Sequence, residues 1–152
     1  MRIMKKQITI ALVAHDRRKA DMVDWVVYNA EVLAKHKLVC TGTTGGLIKQ
    51  AFEARNIKAD ITRMQSGPLG GDAEIAAKVV RKEIDLAIFL IDDLNPQPHE
   101  ADIQMLLRQC RIHNVPIACN RYSADLMITS ALWDDETYVP TTPLYEDFKR
   151  EQ

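Results

Sequence analysis

The sequence has no apolar run near the ~20 residues needed to cross a membrane, only three cysteines, and almost no net charge. Each shortage excludes something. Without a long apolar run, no membrane span is expected. Cys40, Cys110 and Cys119 form an odd set without C-x-x-C spacing, so neither a disulfide framework nor a thiolate metal site is expected. Buried free thiols in a reducing compartment fit instead. Twenty lysines and arginines against 21 aspartates and glutamates leave a net charge of −1. That argues against a nucleic-acid binder, which carries a basic patch and a high pI. An anionic ligand must then be held by a local cluster of donors. At 152 residues the chain is also too short for a (β/α)8 barrel of ~250 residues.

What is present is an ordinary globular composition, with 47% hydrophobic residues, enough for a core without disulfides or a structural metal. Arg2, Lys5 and Lys6 precede the apolar stretch 8–14, as in a short signal peptide, but Gln7 and Thr9 interrupt it. A first β-strand explains the stretch better, and the expected location is the cytoplasm. Short aliphatic runs at 8–14, 38–41, 57–64, 86–91 and 115–119 read as buried parallel strands. Helical stripes separate them at 19–34, 44–54, 75–82 and 103–112, with another at 123–130. Alternating strands and helices predict a single α/β domain over 1–152: a Rossmann-like, doubly wound fold with a mostly parallel five-stranded sheet. The segment 133–152 breaks the rhythm, and packs on the domain or reaches a neighbouring subunit.

In such sheets ligands bind outside the carboxyl ends of the strands, and the polar and glycine-rich residues of this chain cluster there. His15-Asp16 follows the first strand, T-G-T-T-G-G at 41–46 the second, S-G-P-L-G-G-D at 66–72 the third, and D-D-L-N-P-Q-P-H at 92–99 the fourth. The T-G-T-T-G-G loop reads as an anion site or as a threonine-capped turn. Its glycines permit close backbone approach, and a helix start offers free N–H groups. It lacks the lysine of a P-loop and does not match G-x-G-x-x-G. Lys19 could supply a cation, and Ser66 and Gly67 a hydroxyl and an amide. Asp72 reads as a catalytic base or a helix-capping aspartate, and His99 as a catalytic histidine or a loop donor. Asp16, Asp92 and Asp102 are candidate supporting acids. His36 and His113 fall outside these loops and are expected at the surface. No H-E-x-x-H spacing supports a metal site from His15, His99 and the carboxylates.

Taken in order, A-H-D at 14–16 with Lys19, T-G-T-T-G, S-G-P-L-G-G-D and D-x-L-N-x-x-P-H-x-x-D at 92–102 resemble the methylglyoxal synthase family over roughly residues 7–130. The resemblance implies a cofactor-free lyase that converts dihydroxyacetone phosphate to methylglyoxal and inorganic phosphate. It also implies a homohexamer inhibited by phosphate. Asp72 then corresponds to the base and His99 to the catalytic histidine. His15, Lys19, Thr41, Gly42, Thr43, Thr44, Ser66 and Gly67 fall on substrate- and phosphate-binding positions, with Asp16, Asp92 and Asp102 around them. The segment 51–65 is longer than the family pattern, and the tail after Trp133 departs from it, which leaves an intersubunit phosphate contact from Arg150 open. The same fold also serves as a regulatory domain for phosphate- or nucleotide-like effectors. The joint presence of Asp72 and His99 favours the enzyme.

Overall fold

Two strands form the middle of the molecule because their side chains are apolar on both faces. In the computed structural model, which describes residues 6–141, 143 and 145, β1 (Thr9–Ala14) and β4 (Leu86–Leu90) are buried almost throughout. A central parallel strand is covered on both faces. β2 (Lys37–Cys40) and β3 (Asp60–Arg63) lie to one side and β5 (Ile117–Ala118) to the other. The order is β3-β2-β1-β4-β5 with every pairing parallel. The expected sheet is therefore present, with one refinement. β3 is an edge strand of mostly exposed residues, shorter than the 57–64 run suggests. Its exposed Asp60, Thr62 and Arg63 discourage pairing with another edge.

Side-chain alternation along the strands builds two core layers. Ile10, Leu12, Leu38, Cys40, Ile88 and Leu90 face α1 (Lys19–Tyr28) and α3 (Gly42–Glu53), where Met22, Trp25, Ile48 and Phe52 meet them. Ala11, Val13, Val39, Ala87 and Phe89 face α4 (Gly71–Val80) and α5 (Glu100–Ile112), through Ile75, Val79, Ile103 and Leu106. The stripe expected as one helix over 19–34 is broken at Asn29. Its backbone N–H and its side-chain amide both donate to Trp25 O, at 3.0 and 2.8 Å. A short side chain that competes for a helical carbonyl ends the helix, and α2 (Ala30–Leu33) restarts it. α6 (Arg121–Ile128) follows β5, and the Asn120 side chain caps it by accepting from Ser123 N–H.

Two expectations are corrected. His36 is not a surface residue. It is buried at the opening end of β2, where Nδ1 accepts from Ile8 N–H at 3.1 Å and the Trp133 ring packs against it. Cys119, just past the end of β5, is exposed, unlike the buried Cys40 and Cys110. Trp133 itself joins the core, so the described part of the tail packs on the domain. Asn114 holds Thr141 O at 2.6 Å. Arg150 lies outside the described residues. No helix among the described residues is long and apolar enough to cross a membrane.

Candidate functional site

The chain leaves β1 for one side of the sheet and β4 for the other, so the loops at their carboxyl ends part and open a crevice. His15 lies there. Its N–H continues the ladder to Leu90 O at 3.2 Å, and its Nδ1 accepts from Asp92 N–H at 2.9 Å. An imidazole that accepts at Nδ1 carries its proton at Nε2. Nε2 is buried with no hydrogen-bond partner, a donor that the protein itself leaves unused. Burial, then the nearby His99 and Lys19, lower the His15 pKa below its ordinary 6.5, which keeps the ring neutral at pH 7. Asp92 folds its own loop: its carboxylate accepts from Asn95 Nδ2 at 2.7 Å and Leu94 N–H at 3.2 Å, and the Asn95 bond above all holds its pKa below the usual value.

The loop after β2 is a helix start rather than an open loop. α3 begins at Gly42 with Thr41 as its N-cap residue, two residues before the expected boundary. The amides of Thr43 and Thr44 consequently have no intrahelical acceptor and face outward with the positive end of the helix dipole. Thr44 Oγ1 and Lys19 Nζ both donate to Ala14 O, at 3.4 and 3.1 Å. One carbonyl at the end of β1 thus brings the cation beside the helix N-terminus. Lys19 is only 16% exposed and pairs with the exposed Asp16 at 2.6 Å, a bond that pulls Asp16 below its ordinary pKa. Thr41 is buried and Thr43 exposed.

The loop after β3 is tied to both neighbours through Gln65. Its C=O accepts from Gly42 N–H at 3.0 Å and its N–H donates to Glu74 Oε1 at 2.8 Å. Ser66 O accepts from Leu69 and Gly71 N–H, a tight turn that Gly70 completes at φ +107°. Gly71 has a different reason to be glycine: a Cβ there would lie 2.0 Å from Gln65 O. Gly71→Ala is expected to cost about 3 kcal/mol or more by overpacking, read as a lower midpoint in urea unfolding.

That turn delivers Asp72 into the crevice. It stands in the first turn of α4 yet makes no capping hydrogen bond, so the capping role is not the one it plays. The residue is fully buried and both carboxylate oxygens lack hydrogen-bond partners. His99, in the N-cap position of α5, places Nε2 3.5 Å from Asp72 Oδ2. The ring also lies edge-on to His15, 5.9 Å between centroids. Burial raises the Asp72 pKa above 3.8, His99 pulls it back, and the half-buried Asp102 pushes it up again. Gly67 completes the group: a Cβ there would sit 2.8 Å from His99 Nε2 and 3.2 Å from Asp72 Oδ1. Because residue 67 has no side chain, the position in contact with both the carboxylate and the imidazole stays clear.

All the sequence-predicted site residues thus lie at one edge of the sheet, with Asp16 and Asp92 acting on Lys19 and His15. Among the described residues no three His, Cys, Asp or Glu side chains are grouped to hold a metal. A cavity of about 460 Å³ lies at the opposite edge, beside Trp133 and Tyr138, and is lined by none of them. Sequence reasoning missed Gln65, Glu74 and Arg63, which act through backbone groups and carry no motif.

A small parallel sheet with a glycine-rich helix start and a buried carboxylate–imidazole pair at the same edge matches a known class. The family model of the MGS-like domain matches residues 21–119. A methylglyoxal synthase of Treponema socranskii is 71% identical over 147 residues, covering 97% of this chain and 93% of that protein. One from Coxiella burnetii strain RSA 493 is 46% identical over 140 residues, covering 92% and 94%. The crystal structure of methylglyoxal synthase from Elizabethkingia anophelis NUHP1 superposes with a TM-score of 0.85 at 38% identity, covering 99% of this chain and 95% of that one. The chain belongs to the methylglyoxal synthase family.

Proposed function

We propose that this protein converts dihydroxyacetone phosphate to methylglyoxal and inorganic phosphate, with Asp72 as the base. One observation carries the assignment of the base: a fully buried carboxylate with no hydrogen bond, beside an imidazole, across a gap that no side chain fills. Asp72 removes a proton from the hydroxymethyl carbon. Its raised pKa makes it a stronger base than an ordinary aspartate. The negative charge moves to the carbonyl oxygen, which accepts from His99 and from the Nε2–H of His15. The enediolate hydroxyl then becomes the aldehyde C=O, its proton passing to the departing phosphate as the phosphate C–O bond breaks, and the resulting enolate takes a solvent proton at its methylene carbon to give methylglyoxal.

The substrate phosphate binds the Thr43 and Thr44 amides, the hydroxyls of this loop, Lys19, and the Ser66 and Gly67 segment. That cradle also sets the torsion. Elimination needs the C–O bond perpendicular to the enediolate plane, whereas a bond held in the plane favours isomerisation. Inorganic phosphate, as product, fits the same donors and inhibits. The working form is a homohexamer in the cytoplasm, one domain per chain; the largely exposed Leu69 and Leu94 beside the site loops support assembly.

His99→Ala should lower kcat by about 10²-fold or more if the ring stabilises the oxyanion. Steady-state kinetics with dihydroxyacetone phosphate decides this, because a rise in KM alone would make His99 a binding residue. Lys19→Ala should chiefly raise KM and weaken phosphate inhibition.

A further inference from the structure

Arg63, the last residue of the edge strand β3, has no part in the chemistry above, yet its side chain lies across the start of α3. Nε–H donates to Gly42 O at 3.0 Å. The chain then runs over the next glycines. A Cβ at Gly45 would lie 2.8 Å from Arg63 Cγ, and one at Gly46 would lie 3.0 Å from Arg63 Nη2. Two glycines inside a helix are unfavourable, and both are explained by the seat they make for this side chain. The Gly-Gly pair that resembles an anion-approach loop thus faces a guanidinium.

We infer that Arg63 is a positioning residue for the phosphate-binding amides of α3. Gly42 C=O and Thr43 N–H belong to one trans peptide plane and point in opposite directions. The carbonyl points along the helix, while the amide points out of its N-terminus without an intrahelical acceptor. Holding the carbonyl therefore aims the amide. A guanidinium on the carbonyl also polarises the peptide and strengthens the N–H as a donor. Arg63 is exposed and its bond is to backbone, so it tunes affinity without touching the reacting atoms. The inference rests on the reading of this helix start as the phosphate cradle.

The experiment is calorimetric titration of the full-length protein with inorganic phosphate, paired with steady-state kinetics on dihydroxyacetone phosphate. Arg63→Ala should weaken phosphate binding about fivefold and raise KM by a similar factor, with kcat changed less than about twofold. Arg63→Lys keeps a charge but loses the planar Nε donor, so it should recover only part of the affinity. Gly46→Ala displaces the guanidinium while leaving Arg63 in the chain. It should weaken phosphate binding in the wild-type background and have no further effect on Arg63→Ala. Unchanged phosphate affinity and KM in Arg63→Ala, or an equal effect of Gly46→Ala in both backgrounds, overturns the inference. Lys19→Ala serves as the reference. If it weakens phosphate and Arg63→Ala does not, only the role of Arg63 fails; if neither does, the cradle itself is wrong.

Discussion

Asp72→Asn is expected to lower turnover by about 10³-fold or more and to make the protein more stable. Both effects come from one feature, a carboxylate fully buried without a hydrogen-bond partner. Asparagine keeps the shape and cannot accept the proton. Its effect on stability follows from the sign of the pKa shift. Asp72 has a folded pKa above 3.8, raised chiefly by burial. The folded state therefore binds this proton more tightly than the unfolded chain does. That advantage is complete below about pH 3.8 and is lost as pH rises through the folded value, so at neutral pH the ionised group is destabilising. Removing the charge should raise Tm by about 2–4 °C for a domain of this size, seen by differential scanning calorimetry at pH 7 and absent at pH 3. A variant that is inactive but less stable would mean that the buried charge is compensated. In the wild type, kcat/KM should fall on the acid side with an apparent pKa above that of a free aspartate. At pH 7 His15 adds no charge to the site, because burial and its neighbours lower its pKa below 6.5.

Gly67→Ala should cost about 10²-fold in kcat/KM, a large loss for one methyl group. The added Cβ would fall 2.8 Å from His99 Nε2 and 3.2 Å from Asp72 Oδ1, closer than atoms approach without moving. Either the imidazole shifts away from the base or the methyl occupies the place of the reacting carbon. Gly70 provides the contrast. A Cβ there meets nothing, but the residue sits at φ +107°, so Gly70→Ala should lower stability by about 1 kcal/mol and leave kcat close to wild type. Equal kinetic losses in both variants would mean that the turn as a whole is fragile, and that the gap at Gly67 has no special part.

β1 and β4 were legible as buried strands because they are apolar on both faces and cannot be mistaken for a half-exposed element. The helix starts were less so, for a reason that concerns function. α3, α4 and α5 begin at Gly42, Gly71 and Glu100, two to four residues before their apolar stripes. Those first turns hold Thr43 and Asp72 and lie outside the apolar stripes, at the crevice end of the sheet. Periodicity therefore places the scaffold and is silent on the turns that make the site. Motif order supplied Asp72, His99 and the threonines. It carried no trace of the Asp92 N–H that sets the His15 tautomer, nor of the Glu74 carboxylate that holds Gln65, because backbone partners leave no pattern. His36 was misplaced for a similar reason: its burial depends on Trp133, about a hundred residues away in sequence.

The most direct test of the account is product analysis by NMR after incubating the purified protein with dihydroxyacetone phosphate in deuterated water. Methylglyoxal and inorganic phosphate are expected in equal amounts, the methyl group carrying a single solvent deuterium from the final protonation. Glyceraldehyde 3-phosphate in their place would mean isomerisation, and dihydroxyacetone with phosphate would mean hydrolysis; either product would contradict elimination through the Asp72 and His99 site.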